Sequence, residues 1–341
     1  MKGASKSWWT RARHLLEAKG KASSIPALKV DGVWRTEPIE KANAFVDAFT
    51  LKNVMEPLED NEYGIIQENA LPANPYAEPS VEAVRDILRN LAEDSATGPD
   101  RVPTRILKFC ADELAEPVQL LVCSILRNRR WPKQWKGHWV CPLHKKKSVF
   151  VPTHYRGVHL TCQLSKVAER VLAHMFVPTL DKVNAFGENQ FAYRPERGLR
   201  DALAFVILTW LAGWATGCKF AVYCSDVAGA FDKVNRQVLH RKLAALGVCA
   251  TMLDVIASWL EPRTATVVVE GQHSKAMLLD NMVYQGTVWG PPLWNAHYGD
   301  ARVTVRKNGF EEVVFADDLN AFKSYPAGTD DQTLQSDMQE C

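Results

Sequence analysis

Asp317 and Asp318 stand side by side between two short apolar runs, Val313-Val314-Phe315-Ala316 and Leu319-Asn320-Ala321-Phe322. Like charges this close raise one another's pKa unless a cation lies between them. Two aspartates in a solvated turn are common, so the pair alone decides nothing. A third carboxylate changes the balance. Asp226 ends the apolar run Lys219–Ser225, with Ala230-Phe231-Asp232 just beyond it. A carboxylate at a strand end beside a carboxylate pair on a hairpin is the oxygen-rich donor set that two Mg²⁺ ions need. Paired ions of this kind sit about 3.5–4 Å apart and bridge substrate phosphates. One would activate an attacking 3′-oxygen and the other would stabilise leaving pyrophosphate, and their charge offsets the crowding of three acids.

These residues require elements to hold them. Hydrophobic spacing predicts helices over Pro38–Leu51, Ser80–Leu91 (with Ser80 as N-cap), Glu113–Asn128, Gln163–Phe176, Lys233–Leu246 and Thr251–Trp259. Strands are expected at Trp139–Leu143, Val158–Leu160 and Lys219–Ser225. Thr264–Glu270 and Lys275–Leu279 form a probable hairpin around Gly271, and Glu312–Phe315 with Leu319–Phe322 flank the acidic pair. Val288–Tyr298 follows a turn at Gln285-Gly286-Thr287. Pro57–Pro79 reads as an extended connector. Strands and helices in this order predict an α+β fold, not a doubly wound parallel sheet.

The chain has 341 residues, with 41 Lys+Arg against 39 Asp+Glu, a net charge of +2. Its hydrophobic content of 47% excludes wholesale disorder. The near-neutral sum conceals opposed zones. Residues 1–30 carry seven basic side chains against Glu17, and residues 51–100 carry eleven acidic against three basic. Residues 101–150 reverse this with eleven basic against three acidic, including Arg127, Arg129, Arg130 and Lys145–Lys147. An excess of that size suggests a polyanion partner.

Eight scattered cysteines, with no CxxC pair and no secretory leader pattern, point to reduced thiols in an intracellular protein, nuclear or cytoplasmic. His138, Cys141 and His144 lack the second ligand pair of a zinc finger, which argues against zinc. Ala202–Cys218 holds no charged residue but falls short of a bilayer span, so a helix buried within the domain is expected, and no membrane partner.

The blocks together resemble the reverse transcriptases of non-LTR (LINE-type) retrotransposons. Ser225-Asp226-Val227-Ala228-Gly229-Ala230-Phe231-Asp232-Lys233-Val234 is similar to the first palm motif. Gln285–Asn295 (QGTVWGPPLWN) is similar to the second, and Phe315-Ala316-Asp317-Asp318 to the third. Gly98-Pro99-Asp100-Arg101-Val102-Pro103, Val140–Lys147, Tyr155–Thr161 and Gln190-Phe191-Ala192-Tyr193-Arg194-Pro195 resemble fingers blocks. Ser7-Trp8-Trp9 and Ile25–Leu28 resemble the linker that precedes them. Gly157 stands where the family usually has Pro, His159 where a small residue is common, and Trp289-Gly290-Pro291-Pro292 departs from the usual second palm block.

The resemblance implies a right-hand polymerase: a linker or extension over 1–78, fingers over 79–205 and a palm with an antiparallel sheet over 206–341. The nineteen residues after Phe322 leave no room for the rest of the palm and the thumb, so a fragment without a thumb is expected, and no endonuclease precedes it. Asp226, Asp317 and Asp318 would be the catalytic metal ligands for two Mg²⁺ (or Mn²⁺). Lys145 or Lys146 with Arg156 would hold the triphosphate. Phe231 would lie under the incoming sugar, and Gln285 and Gly286 would form a turn close to the template and nucleotide. Arg127, Arg129, Arg130 and Lys147 would contact nucleic acid. The implied partners are an RNA template, a DNA primer and dNTPs. A group II intron or retron type of enzyme, and a catalytically silent nucleic-acid-binding remnant of a retrotransposon, are the competing readings.

Overall fold

A computed structural model describes residues 25–52, 71, 73, 77–145 and 147–340. Ser7-Trp8-Trp9, most of the connector Pro57–Pro79, and Lys146 lie outside the described residues. Among those described, the chain opens with the hairpin β1 (Leu28–Val30) and β2 (Val33–Arg35), then helix α1 (Pro38–Lys52). Helices α2 (Val81–Arg89), α3 (Thr104–Phe109) and α4 (Ala111–Asn128) follow. The Ser80 hydroxyl accepts from the Ala83 N–H at 3.2 Å, the expected N-cap. Helix α4 ends on Arg129, whose left-handed backbone (φ 51°) turns the chain away.

Four strands form a mixed sheet in the order β4-β3-β6-β7. β3 (Gly137–His144) pairs antiparallel with β4 (Tyr155–Leu160) and parallel with β6 (Arg263–Val269). β7 (Gln272–Leu279) closes the far edge. Helix α1 lays Phe45, Val46 and Phe49 into the core beside this sheet. Between β4 and β6 come α5 (Gln163–Lys182), α6 (Leu199–Ala215), strand β5 (Cys218–Asp226), α7 (Arg236–Ala245) and α8 (Ala250–Trp259). After β7 come α9 (Gly290–Tyr298), α10 (Ala301–Lys307), strands β8 (Glu311–Phe315) and β9 (Asp318–Pro326), and α11 (Asp331–Glu340).

The second sheet is antiparallel throughout, in the order β5-β9-β8. Alternation along its strands gives it two apolar faces. Val313 and Phe322 pack with Phe205, Val206 and Trp210 of α6, whereas Val314, Leu319 and Ala321 pack with Val305 of α10 and Phe310. The described residues therefore form a mixed α and β fold with one mixed sheet and two antiparallel ones, the smaller being the β1-β2 hairpin.

One expectation needs correction. Helix α6 is not buried. Ala202 is its one buried residue, and Leu203, Ile207, Leu208, Leu211 and Trp214 are all more than half exposed. A helix that is apolar all round carries no polar stripe to show which side faces water, so its composition alone could not reveal this. The residues after Phe322 are also structured: β9 runs on to Pro326, and α11 returns so that Asp337 accepts from Lys323 and Tyr325 at 2.6 and 2.9 Å. Among the described residues, no helix is long and apolar enough to cross a membrane.

His138 and Cys141 are an odd number of residues apart on β3 and face opposite sides, one buried and one exposed.

Candidate active site

The register of the second sheet places two of the three acids. Asp226 on β5 and Asp318 on β9 are directly paired, so their side chains leave the same face of the sheet. Asp317 sits in the two-residue turn that joins β8 to β9, closed by the pairing of Phe315 with Asp318. Ala316, the first central residue, has φ 63°, a conformation that costs a residue with a Cβ. Three hydrogen bonds hold it there. Buried Gln190 accepts from the Ala316 N–H at 3.0 Å and donates to its carbonyl at 3.3 Å, and Trp294 Nε1 donates to the same carbonyl at 3.1 Å. The strained turn is thus fixed from outside, and Asp317 with it. No feature of the Ala-Asp-Asp tripeptide reveals this clamp, although Gln190 opens one of the recognised blocks.

These acids face a cavity of about 750 Å³. Asp226 and Asp317 line it together with Lys145, Lys147, Arg156, Phe231, Gln285 and Gly286. Asp318 is paired beside it but does not form its wall. Phe231 is buried and stacked on Trp294 at 5.7 Å, so it is both a core aromatic and part of the cavity floor. Lys147, expected among the nucleic-acid contacts, belongs to this cavity, whereas Arg129 and Arg130 line a different groove. Arg127 is paired with Glu78 at 3.1 and 3.2 Å.

Electrostatics in the cavity follow from the clustering. Burial pushes the Asp317 carboxyl up, and the neighbouring Asp318 and Asp226 push it further, against a smaller pull from Lys145. Among the described residues, no three His, Cys, Asp or Glu side chains are drawn together tightly enough to enclose a metal. All three donors are carboxylates, the oxygen ligands that a hard divalent cation takes.

Two residues that sequence reasoning missed also reach the cavity. Lys52, at the end of α1, donates to the Tyr155 carbonyl at 2.8 Å and sits near Asp232 and Arg156. Burial raises the pKa of Asp232, and Lys52 and Arg156 oppose that rise. The only signal available was a lysine at a helix C-terminus, which is usually a solvated helix end.

The turn at Gln285-Gly286 is held from the opposite side. The His159 N–H donates to the Gln285 carbonyl at 2.8 Å, joining the turn to the edge of β4. Gly286 has φ +104°, and a Cβ there would stand 2.6 Å from the His159 carbonyl oxygen, so backbone approaches backbone at this point. Behind the turn lies Glu169 of α5, fully buried, accepting from the N–H groups of Val288 at 2.7 Å and Trp289 at 3.3 Å. It also accepts from Trp259 Nε1 at 3.3 Å. The departure at Gly157 has a steric cause: a Cβ there would meet Val140 at 2.9 Å and Phe49 at 3.3 Å.

A buried chain of donors continues inward. Arg263, 1% exposed, donates through both Nε and a terminal nitrogen to the Trp259 carbonyl, and through its other terminal nitrogen to His138 Nε2 at 2.9 Å. A guanidinium can only donate, so His138 Nε2 is unprotonated and Nδ1 carries the proton towards His159 Nδ1 at 3.3 Å. Both histidines are therefore neutral. Burial, then Arg263, holds His159 down at about 3, and the same causes hold His138 well below its ordinary value. Burial and Lys242 hold His297 at about 3.

A pH dependence of stability follows. The unfolded chain protonates these histidines near pH 6.5, while the folded chain leaves His159 and His297 neutral to about 3. Within that window the unfolded state binds more protons, so stability falls as pH falls, by roughly 1 kcal/mol per unit for each histidine. Glu169, whose pKa burial raises, works in the opposite direction in the acid range and offsets part of the loss. Denaturation midpoints should drop steadily between pH 7 and 5. A flat profile would contradict the buried neutral network.

An antiparallel sheet with carboxylates at paired strand positions and in the adjoining turn, beside a cavity that basic side chains also line, has the layout of a polymerase palm. The profile of the family "Reverse transcriptase (RNA-dependent DNA polymerase)" matches residues 143–340, and the chain belongs to that family. Among curated relatives, it is 28% identical over 228 residues to the RNA-directed DNA polymerase from mobile element jockey of Drosophila melanogaster, covering 66% of this chain and 25% of that protein. It is 26% identical over 257 residues to the jockey polymerase of Drosophila funebris, covering 73% and 28%. It is 25% identical over 283 residues to the probable RNA-directed DNA polymerase from transposon X-element of Drosophila melanogaster, covering 79% and 30%. The chain thus spans less than a third of the length of these relatives.

Proposed function

We propose that this chain carries the nucleotidyl-transfer site of an RNA-directed DNA polymerase of the non-LTR retrotransposon type. The supporting observation is the pairing of Asp226 with Asp318, with Asp317 in the adjoining turn, beside a cavity that Asp226 and Asp317 line together with Lys145, Lys147 and Arg156. Asp226 and Asp317, with Asp318 in support, would hold two Mg²⁺ ions. When bound, these lower the pKa of the primer 3′-hydroxyl and neutralise charge on the leaving pyrophosphate.

The chain's own groups do the rest. Lys145 and Arg156 neutralise and orient the triphosphate, with Lys146 beside them in sequence, and a guanidinium grips phosphate oxygens in a fork that fixes their direction. Phe231, held by Trp294, presents a rigid ring edge to the sugar and excludes a 2′-hydroxyl. The Gln285-Gly286 turn offers backbone to the templating pair. Asp232, paired electrostatically with Lys52 and Arg156, fixes Arg156 from behind. The fingers (79–205) and palm (206–341) of the family would meet across this cavity, with residues 1–78 as an extension that supplies Lys52.

The test is extension of a labelled DNA primer annealed to an RNA template, with dNTPs and Mg²⁺. Template-directed extension on RNA is expected, with ribonucleotides incorporated far less well. A Phe231→Val variant should narrow that sugar discrimination by at least about tenfold, a change worth roughly 1.4 kcal/mol. Failure of the folded protein to extend on RNA under these conditions would refute the proposal.

A further inference from the structure

A second groove, of about 770 Å³, shares no lining residue with the acidic cavity. One wall is a single face of α7, where Arg236, Gln237, His240 and Arg241 recur at the i, i+1, i+4, i+5 spacing of a helix face. The opposite rim is Arg129-Arg130, and α8 forms the remaining side. The rim is rigid. Arg129 closes α4 in a left-handed conformation, the Arg130 N–H donates to the Ile125 carbonyl at 3.3 Å, and the Trp131 N–H donates to Ser258 Oγ of α8 at 3.1 Å. Trp131 itself is buried, which anchors the two arginines to the core.

Charge within the groove is unevenly compensated. Its two acids are engaged, Asp254 with Arg129 at 3.0 Å and Glu261 with Lys136. Arg236 lies 3.7 Å from Asp280. The side chains of Arg130 and Arg241, both exposed, have no hydrogen-bond or ion-pair partner among the described residues. The groove therefore presents two unpaired guanidinium groups, one just past the end of α4 and one on α7, with His240 and Gln237 as further polar groups.

Its lining also limits the kind of ligand. Ala257 is its one apolar side chain, and no Phe, Tyr or Trp ring lines it for a base to stack on, His240 being its one imidazole. The aromatic or aliphatic anchor that a protein partner usually needs is missing too. What remains suits a chain of phosphates.

We infer that this groove binds the sugar–phosphate backbone of a single RNA strand, independently of sequence and outside the acidic cavity. The choice of RNA as the polyanion rests on the polymerase reading; the groove itself does not. Neutralising two phosphates of a single strand contributes about 1.4 to the slope of log affinity against log salt.

The experiment compares the full chain with Arg130→Glu/Arg241→Glu and the milder Arg130→Gln/Arg241→Gln. Binding of a fluorescent mixed-sequence single-stranded RNA is measured by anisotropy across a salt series, with thermal melting to verify the fold. Both side chains are exposed and unpaired, so the Gln pair should melt as the parent does. Affinity at moderate salt should fall at least tenfold in the Glu pair, and the salt slope should drop by about 1.4 in the Gln pair. Affinity should be indifferent to RNA sequence. Asp317→Asn should retain full RNA binding at this groove, and the Arg variants should retain single-nucleotide addition on a saturating short template–primer. Loss of polymerase activity in all proteins alike would refute the polymerase reading while leaving the groove intact. Unchanged RNA affinity and slope in both Arg pairs would overturn the groove. So would equally effective competition by inorganic phosphate, which would make it a small-anion site, or by poly-glutamate, which would make it a site for an acidic protein.

Discussion

Asp317→Asn is expected to abolish nucleotide addition, with at least a 10³-fold loss of single-turnover rate, and to leave the protein folded. Asp226→Asn should behave in the same way. A loss of that size corresponds to roughly 4 kcal/mol of transition-state stabilisation, the order expected when one ligand of a catalytic cation site is removed. The asymmetry between activity and stability is the diagnostic part. Burial and the charges of Asp318 and Asp226 hold the Asp317 carboxyl above its ordinary pKa. Its ionised form therefore works against folding at neutral pH. Neutral asparagine removes that repulsion, so the melting temperature should stay level or rise slightly. An aspartate kept for structure would give the reverse, a lower melting temperature with activity lost only in proportion. Asp318→Asn should have a milder effect than either, because Asp318 supports the cavity without lining it. Single-turnover addition of one dNTP, alongside thermal melts of the three variants, checks all of this.

Glu169→Ala should cost roughly 3–5 kcal/mol of stability, the order expected when a buried hydrogen-bonded charge is removed. The carboxylate is fully buried and accepts from the Val288 and Trp289 N–H groups and from Trp259 Nε1. Truncation leaves these donors buried without acceptors, at about 1–3 kcal/mol each before relaxation. It also leaves the Arg263 charge with less compensation, since Glu169 is among the groups that favour its charged form. Glu169→Gln keeps one acceptor oxygen but turns an amide donor towards another donor, so about half the loss should remain. The Gln285-Gly286 turn lies three residues before Val288, and loosening it should raise the KM for dNTP in Glu169→Gln more than it lowers kcat. Equal melting curves for Glu169→Ala and the parent would show that the turn is held by other contacts.

The family resemblance made much of the candidate site legible, since Asp226, Asp317, Lys145, Arg156, Phe231 and the Gln285-Gly286 turn all line one cavity. Only the acids could be reached from residue types and spacing. Elements with clear periodicity formed within a few residues of their expected limits, as at Ser80, whose hydroxyl caps α2, and at the hairpin around Gly271. What was not legible depended on contacts distant in sequence. Gln190 clamps Ala316 from 126 residues away, and Glu169 holds Trp289 from 120 away. Neither spacing leaves a local trace. The division of the basic zone was equally hidden: Lys145 and Lys147 face the acids, while Arg129 and Arg130 turn at the end of α4 towards another groove. The exposure of α6 depends on what packs against it, and an uncharged helix does not record that in its sequence.

The central claim is that Asp226, Asp317 and Asp318 form a divalent-cation site facing the triphosphate wall. Titration with Mn²⁺, followed by its paramagnetic resonance signal with and without a dNTP, tests this directly and needs no turnover. The parent should bind Mn²⁺ more tightly once dNTP is present, and Asp226→Asn and Asp317→Asn should each lose that binding while melting normally. Mn²⁺ affinity that is unchanged by both substitutions would contradict the account.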